Sequence, residues 1–195
     1  IRDRLTDYVN PFVGTDGYGN VYPGAQIPFG GIQISPDTDS RFYDAASGYK
    51  YNHLTLMGFS LTHLSGTGIP DLGDFLFIPG TGEMKLEPGT HEDPDQGYRS
   101  RYSHDKEWAS PNYYAVELAD YGVKAEMTSG VRSGMFRFTY PESDNAFIMI
   151  DMNHTLWQSC EWSNLRMIND STITGYKLVK GWGPERHVYL SLIHI

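Results

Sequence analysis

The chain has 195 residues, enough for one domain with a sizeable core. A net charge of −9 leaves no basic stripe of the kind nucleic acid requires, and no apolar run is long enough for a membrane-spanning helix. One cysteine, Cys160, excludes an internal disulfide, while 14 tyrosines suit strands, interfaces or stacking on sugars.

Residues 1–8 form a polar lead-in, 9–15 a short extended piece and 16–20 a glycine-rich loop. Gly14, Gly17 and Gly19 have the wrong spacing for a dinucleotide fingerprint, and no helical pattern follows. A nucleotide site is therefore not expected. Turns fall at 23–25 and 28–31, and 32–35 alternates as a strand does. The loop 36–46 carries Arg41, Phe42, Tyr43 and Asp44. Asp37 and Asp39 begin like a calcium loop, but Arg41 and Tyr43 break the ligand pattern. A carboxylate pair in a solvated turn is the expectation there. Residues 48–51 read as a strand or a strand end.

The stretch 57–79 gathers the most chemistry. Phe59 and Leu61 alternate with Ser60 and Thr62, the period of a half-buried strand. Ser65-Gly66-Thr67-Gly68 is too rich in glycine to continue it. Phe75-Leu76-Phe77-Ile78 reads as a buried strand that Pro79-Gly80 ends. Between the two stand His63, Ser65, Thr67, Asp71 and Asp74. Glycine and aspartate between strands are ordinary turn chemistry. So many side-chain donors and acceptors exceed what a turn needs, and a loop held at both ends by a sheet is a common place for binding.

Residues 80–95 are polar with several turn signals, and 97–104 alternate aromatic and charged residues. Strand patterns follow at 112–118, 123–128, 135–140, 146–151, 173–179 and 186–190. Short strands with frequent turns, and no convincing helical period, predict an all-β fold: one antiparallel β-sandwich domain over 1–195. The chain starts without Met or a signal peptide and is expected to be a truncated piece, with 191–195 a candidate foreign tail.

Asp71 and Asp74 are a conceivable acid and base pair, since glycosidases set two carboxylates about 5 to 9.5 Å apart; a turn and cap role is the competing reading. His53, His63, His91, His104, His154 and His187 have no zinc spacing. Trp157, Trp162 and Trp182 are candidate sugar platforms, although core packing is the commoner fate of tryptophan. Arg186-His187 reads as a core or interface pair, and Cys160 as a small buried residue.

Several motifs together resemble glycoside hydrolase family 92. They are Val9-Asn10-Pro11-Phe12-Val13-Gly14-Thr15, Tyr22-Pro23-Gly24-Ala25, Pro28-Phe29-Gly30, and the run from Gly58 through Gly68 followed by Pro70-Asp71 and Gly73-Asp74. Tyr102-Ser103-His104-Asp105, Ala109-Ser110-Pro111 with Tyr113-Tyr114, Ile173-Thr174-Gly175-Tyr176 and Glu185-Arg186-His187-Val188-Tyr189 continue the likeness in order.

The resemblance implies a calcium-dependent, inverting exo-α-mannosidase of bacteria, exported to the periplasm or beyond and trimming mannose from glycans such as N-glycans. It implies an N-terminal β-sandwich, here nearly alone, docked on a C-terminal helical barrel. That barrel holds the acid, the base and most calcium ligands, so no catalytic or metal residue is expected in this chain, and the chain alone is expected to be inactive. Its expected contribution is one wall of a cleft for a mannose-containing glycan. The candidate substrate-binding residues are Asp16, Gly17, Tyr18, Tyr43, His63, Ser65, Asp71 and Asp74. Tyr43, ahead of Ser47-Gly48-Tyr49, stands where family members specific for 1,2-linkages often carry tryptophan. The alternative is a non-catalytic carbohydrate-binding β-sandwich module.

Overall fold

The computed structural model describes residues 4–40 and 45–195. In chain order the strands are β1 (Ser35–Asp37), β2 (Thr55–Leu56), β3 (Gly58–Ser60), β4 (Leu76–Thr81), β5 (Ser100–Arg101), β6 (Glu107–Ser110) and β7 (Tyr113–Leu118). Then come β8 (Val123–Ser129), β9 (Gly134–Thr139), β10 (Ala146–Asp151), β11 (Ser159–Asn169), β12 (Thr172–Lys180) and β13 (Arg186–Ile193). Among the described residues the helical pieces are short 3-10 turns, and every pairing between strands is antiparallel. The predicted all-β sandwich is what forms.

One sheet has the order β1-β3-β4-β10 and faces a second with the order β6-β7-β8-β9. The alternation that predicts β7, β8 and β9 also sets their register. Tyr114 pairs with Met127, and Met127 with Phe136, while Val116, Ala125 and Phe138 form the next row. These rows meet Phe59 of β3, whose ring lies 6.4 Å from both Phe136 and Phe138. Phe77 of β4 approaches Phe136 to 5.0 Å. Burying such rings is the main stabilising contribution of the core. Beneath it Glu107 accepts hydrogen bonds from the hydroxyls of Tyr49 and Tyr114 and faces His104 Nδ1 at 2.6 Å. Burial above all pushes both phenols well above their usual range, with Tyr102 and then Glu107 adding to it at Tyr49 and Glu107 adding to it at Tyr114.

A third sheet, β11-β12-β13, is exposed over most of its surface. On its outer face Tyr176 lies 5.2 Å from Trp162 and 5.0 Å from Tyr189, ring to ring.

Several local expectations change. Of the expected extended piece 9–15 Val9 is extended, but turns closed by the Asn10, Phe12 and Asp16 carbonyls occupy 11–18. Residues 48–51 form no strand, because Gly48 sits at φ 86°, left-handed backbone that glycine alone adopts readily. Within 97–104 only β5 is a strand. β4 runs through Pro79, which pairs with Ile148, since β3 reaches only as far as Phe77 and leaves that stretch with one neighbour. β2, β6 and β11 lie outside the expected strands, β1 occupies Ser35–Asp37 rather than 32–35, and β13 extends to Ile193 through pairs with Thr172 and Thr174.

Phe59→Ala is expected to destabilise the domain by about 3–5 kcal/mol through the cavity it leaves. The midpoint of urea unfolding followed by tyrosine and tryptophan fluorescence measures this, and a shift worth under about 1 kcal/mol would contradict the packing described.

Candidate functional site

Asp37, at the end of β1, is completely buried and joins three parts of the chain. His63 Nε2 lies 2.7 Å from its Oδ1, and His154 Nε2 lies 2.8 Å from its Oδ2. His63 Nδ1 donates to the Gln33 carbonyl at 2.7 Å; that oxygen can only accept, so Nδ1 bears a proton. Ser60 Oγ stands 3.0 Å from His63 Nε2, and the Tyr22 ring packs over the imidazole at 5.1 Å. Burial opposes the charge on Asp37. The charge of His63 and the hydrogen bonds from both histidines outweigh it and hold the carboxyl well below the usual carboxylate range. Gly48 fits against this group because it has no side chain. A Cβ there would stand 2.1 Å from Asp37 Oδ1.

His154 leads to a second cluster. Its carbonyl accepts from Lys177 Nζ at 2.6 Å, and Nζ lies 3.3 Å from Asp74 Oδ1. Lys177 and Asp74 are both fully buried. Thr62 Oγ1 donates to Asp74 Oδ2 at 2.7 Å, and Arg186 Nη1 bonds the same oxygen. For Asp74, burial works against ionisation, and Lys177 and then Arg186 reverse that, so its carboxyl is also lowered. Desolvation lowers Lys177 more than Asp74 raises it. Asp71 accepts from the backbone N–H of Leu72 at 2.6 Å and of Trp182 at 3.0 Å. It ties the 64–74 loop to the turn between β12 and β13.

The predicted site residues thus divide into two groups. His63, Asp71 and Asp74 are buried and engaged with neighbouring groups. Asp16, Gly17, Tyr18 and Ser65 are exposed, Tyr18 almost wholly at 94%. The loops carrying them are joined, because Gly66 N–H donates to the Asn20 carbonyl at 2.7 Å. Tyr43 lies outside the described residues. Asp37 and Asp39, expected in a solvated turn, are buried instead. They lie on and just beyond a strand whose residues all face inward. Trp157, Trp162 and Trp182 are 54%, 53% and 59% exposed rather than packed in the core, and Cys160 is only half-buried. Of the pair Arg186-His187, the arginine turns inward to Asp74, and His187 faces outward to the Tyr176 hydroxyl at 2.7 Å.

Asp37, His154 and Lys177 escaped sequence reasoning. A Lys flanked by Tyr176 and Leu178 on an alternating strand was the available signal, since it falls on the inward face with Gly175 and Val179. Among the described residues no three of His, Cys, Asp and Glu converge to hold a metal ion, and Asp37 and Asp74 already face His or Lys and Arg partners. This donor set does not fit calcium. No helix of the described residues is long and apolar enough to cross a membrane.

Because Asp37 and Asp74 titrate lower in the folded chain than in the unfolded one, they stabilise it fully above the unfolded value of about 3.9. That contribution is lost as pH falls further, through their folded values. Asp37→Asn is expected to cost about 3–5 kcal/mol at pH 7 and to flatten the acid limb of stability below pH 4. Thermal unfolding between pH 2 and 7 tests both; an unchanged acid limb in the variant would refute the assignment.

The model of the glycosyl hydrolase family 92 N-terminal domain matches residues 8–193. The chain is similar to a solved family 92 alpha-mannosidase of Bacteroides thetaiotaomicron, with 98% identity and a TM-score of 0.96 over 97% of this chain and 26% of that one. That enzyme has also been solved in complex with mannoimidazole. Similarity extends to the family 92 glycosyl hydrolase ccman5, at 29% identity and a TM-score of 0.76, over 96% of this chain and 26% of that one. An uncharacterized secreted glycosidase of Arthroderma benhamiae is 30% identical over 139 residues, 70% of this chain and 17% of that protein. The chain therefore spans about a quarter or less of the length of these relatives. With the family's motifs running through both buried clusters and both loops, this chain belongs to glycosyl hydrolase family 92, as its N-terminal domain.

Proposed function

We propose that this domain forms one wall of the substrate cleft of an inverting exo-α-mannosidase and docks the barrel that carries its catalytic groups. The supporting observation is the 98% identity, over nearly the whole chain, to an alpha-mannosidase that binds mannoimidazole. Inverting hydrolysis needs one carboxylic acid to protonate the leaving oxygen and one carboxylate to activate water on the opposite face. Asp71 and Asp74 are poor candidates for either role. Asp74 is ion-paired to Lys177 and Arg186, and Asp71 holds two backbone N–H groups. The acid and base belong to the barrel in this reading, and so does calcium.

What this chain offers is binding and positioning. Asp16, the Gly17 backbone, Tyr18 and Ser65 are exposed on two loops stitched at Gly66. A carboxylate and hydroxyls there hydrogen-bond sugar hydroxyls, and the glycine lets the backbone come close. Tyr43 belongs to the same proposal. His63, Asp71 and Asp74 serve it from behind by fixing the loop rather than by touching sugar. The occupant is the terminal mannose of a glycan, including N-glycans, and the enzyme works after export, to the periplasm or the medium. A relative described as secreted supports that location. The exposed outer face of β11–β13, with Trp162, Tyr176 and Tyr189, suits packing against the barrel.

The 195-residue chain by itself is expected to release no 4-nitrophenol from 4-nitrophenyl α-mannoside, and turnover would overturn the division of labour. In a full-length chain carrying this domain, Asp16→Ala and Tyr18→Ala are each expected to raise KM about tenfold with a smaller change in kcat. Unchanged KM in both variants would remove the loops from the cleft.

A further inference from the structure

Trp157 and Trp182 line one concavity with Ile69, Pro70, Gln158, Ser159, Lys180 and Gly181. Its volume is about 540 Å³, within the range of small-ligand sites. Both indoles leave more than half their surface open. An exposed tryptophan is ordinary alone; two in one polar-edged cleft, both held in place, are not explained by the core.

Each is fixed by the backbone. Trp157 sits at φ 72°, left-handed backbone that a bulky residue adopts only under constraint. The constraint comes from its neighbours. Leu156 is fully buried and donates its N–H to the Leu72 carbonyl at 2.9 Å, and Thr155 Oγ1 donates to the Gln158 carbonyl at 2.7 Å. On the other rim the Trp182 N–H is held by Asp71 at 3.0 Å. Gly181 carries no side chain because a Cβ would come within 2.7 Å of Gln158 Cγ and 2.8 Å of Asp71 Oδ1.

The polar lining is also fixed. Gln158 Nε2 donates to the Pro70 carbonyl at 2.6 Å, which can only accept, so the amide orientation is determined. That leaves Gln158 Oε1 buried with no hydrogen-bond partner among the described residues. The polar groups at the rim are Ser159 Oγ and Lys180 Nζ, both oriented by Glu161, to which they donate at 2.6 and 3.1 Å.

We infer that this cleft is a second carbohydrate subsite, which takes pyranose units by stacking their C–H faces on Trp157 and Trp182 with hydroxyls toward Ser159 and Lys180. Flat aromatic faces beside a few fixed polar groups match the amphipathic faces of a sugar ring. The subsite goes beyond the cleft wall proposed above, because it depends on neither Asp16 nor Tyr18. It lies along the far part of the 64–74 loop, so it suits a sugar remote from the bond being cut.

The test uses a full-length chain carrying this domain and a thio-linked α-mannotriose, which resists hydrolysis. Calorimetry is expected to resolve two binding events. Trp157→Ala and Trp182→Ala each weaken one of them about tenfold or more and leave the other intact. Trp162→Ala, outside the cleft, changes neither, and Asp16→Ala affects only the other event. Both cleft tryptophans are more than half exposed, and circular dichroism checks that the variants fold. A single binding event insensitive to Trp157→Ala and Trp182→Ala overturns the inference while leaving the Asp16 reading untouched. So does failure of iodide to quench these two tryptophans in the ligand-free chain, since it means another part of the protein covers them.

Discussion

A carboxylate removed from water stays ionised only if donors and positive charge surround it, and Asp37 meets that condition with partners far away in sequence. His63 is 26 residues on and His154 is 117 residues on. Both must arrive for the charge to be tolerable, so the group works as a check on assembly as well as a bond. Such networks recover little net stability after desolvation, but a chain that assembles them in the wrong order leaves a bare charge inside. The position of β1, the path of the 61–74 loop and the exit of the chain from β10 all answer to this one group. Lys177 and Asp74 extend the same demand to the third sheet, since an unpaired lysine in the interior would be still more costly.

The sandwich itself was readable where burial imposes a period of two. Around β7, β8 and β9 the alternating residues pair in rows against Phe59, and the strand bounds differ from expectation by a residue at most. Legibility failed where that pressure is absent. β11 has register shifts at Cys160/Trp162 and at Met167/Asn169, and most of its residues are exposed, so no single face repeats. The extended reading of 48–51 failed because Tyr49 and Lys50 are buried by loop packing rather than by pairing.

The buried polar clusters were legible by residue type and not by partner. Sequence alone marked His63, Asp71 and Asp74 as more polar than a turn requires, and they are. What it could not reveal is that their partners come from Asp37, Lys177, Arg186 and the Trp182 backbone, brought by long-range topology. Composition treats an aspartate after a proline as solvated turn chemistry; only the fold places Asp37 beneath two histidines. The tryptophans failed in the opposite sense, since their usual fate is burial and here the backbone turns them outward.

β13 has a consequence of its own. It borders its sheet, with β12 on one side only, and it carries apolar residues at Val188, Leu190, Leu192 and Ile193. An open border of this kind offers a ladder of unsatisfied amides to any extended segment that meets it. In the domain by itself that margin is a place where one more antiparallel strand can join the sheet.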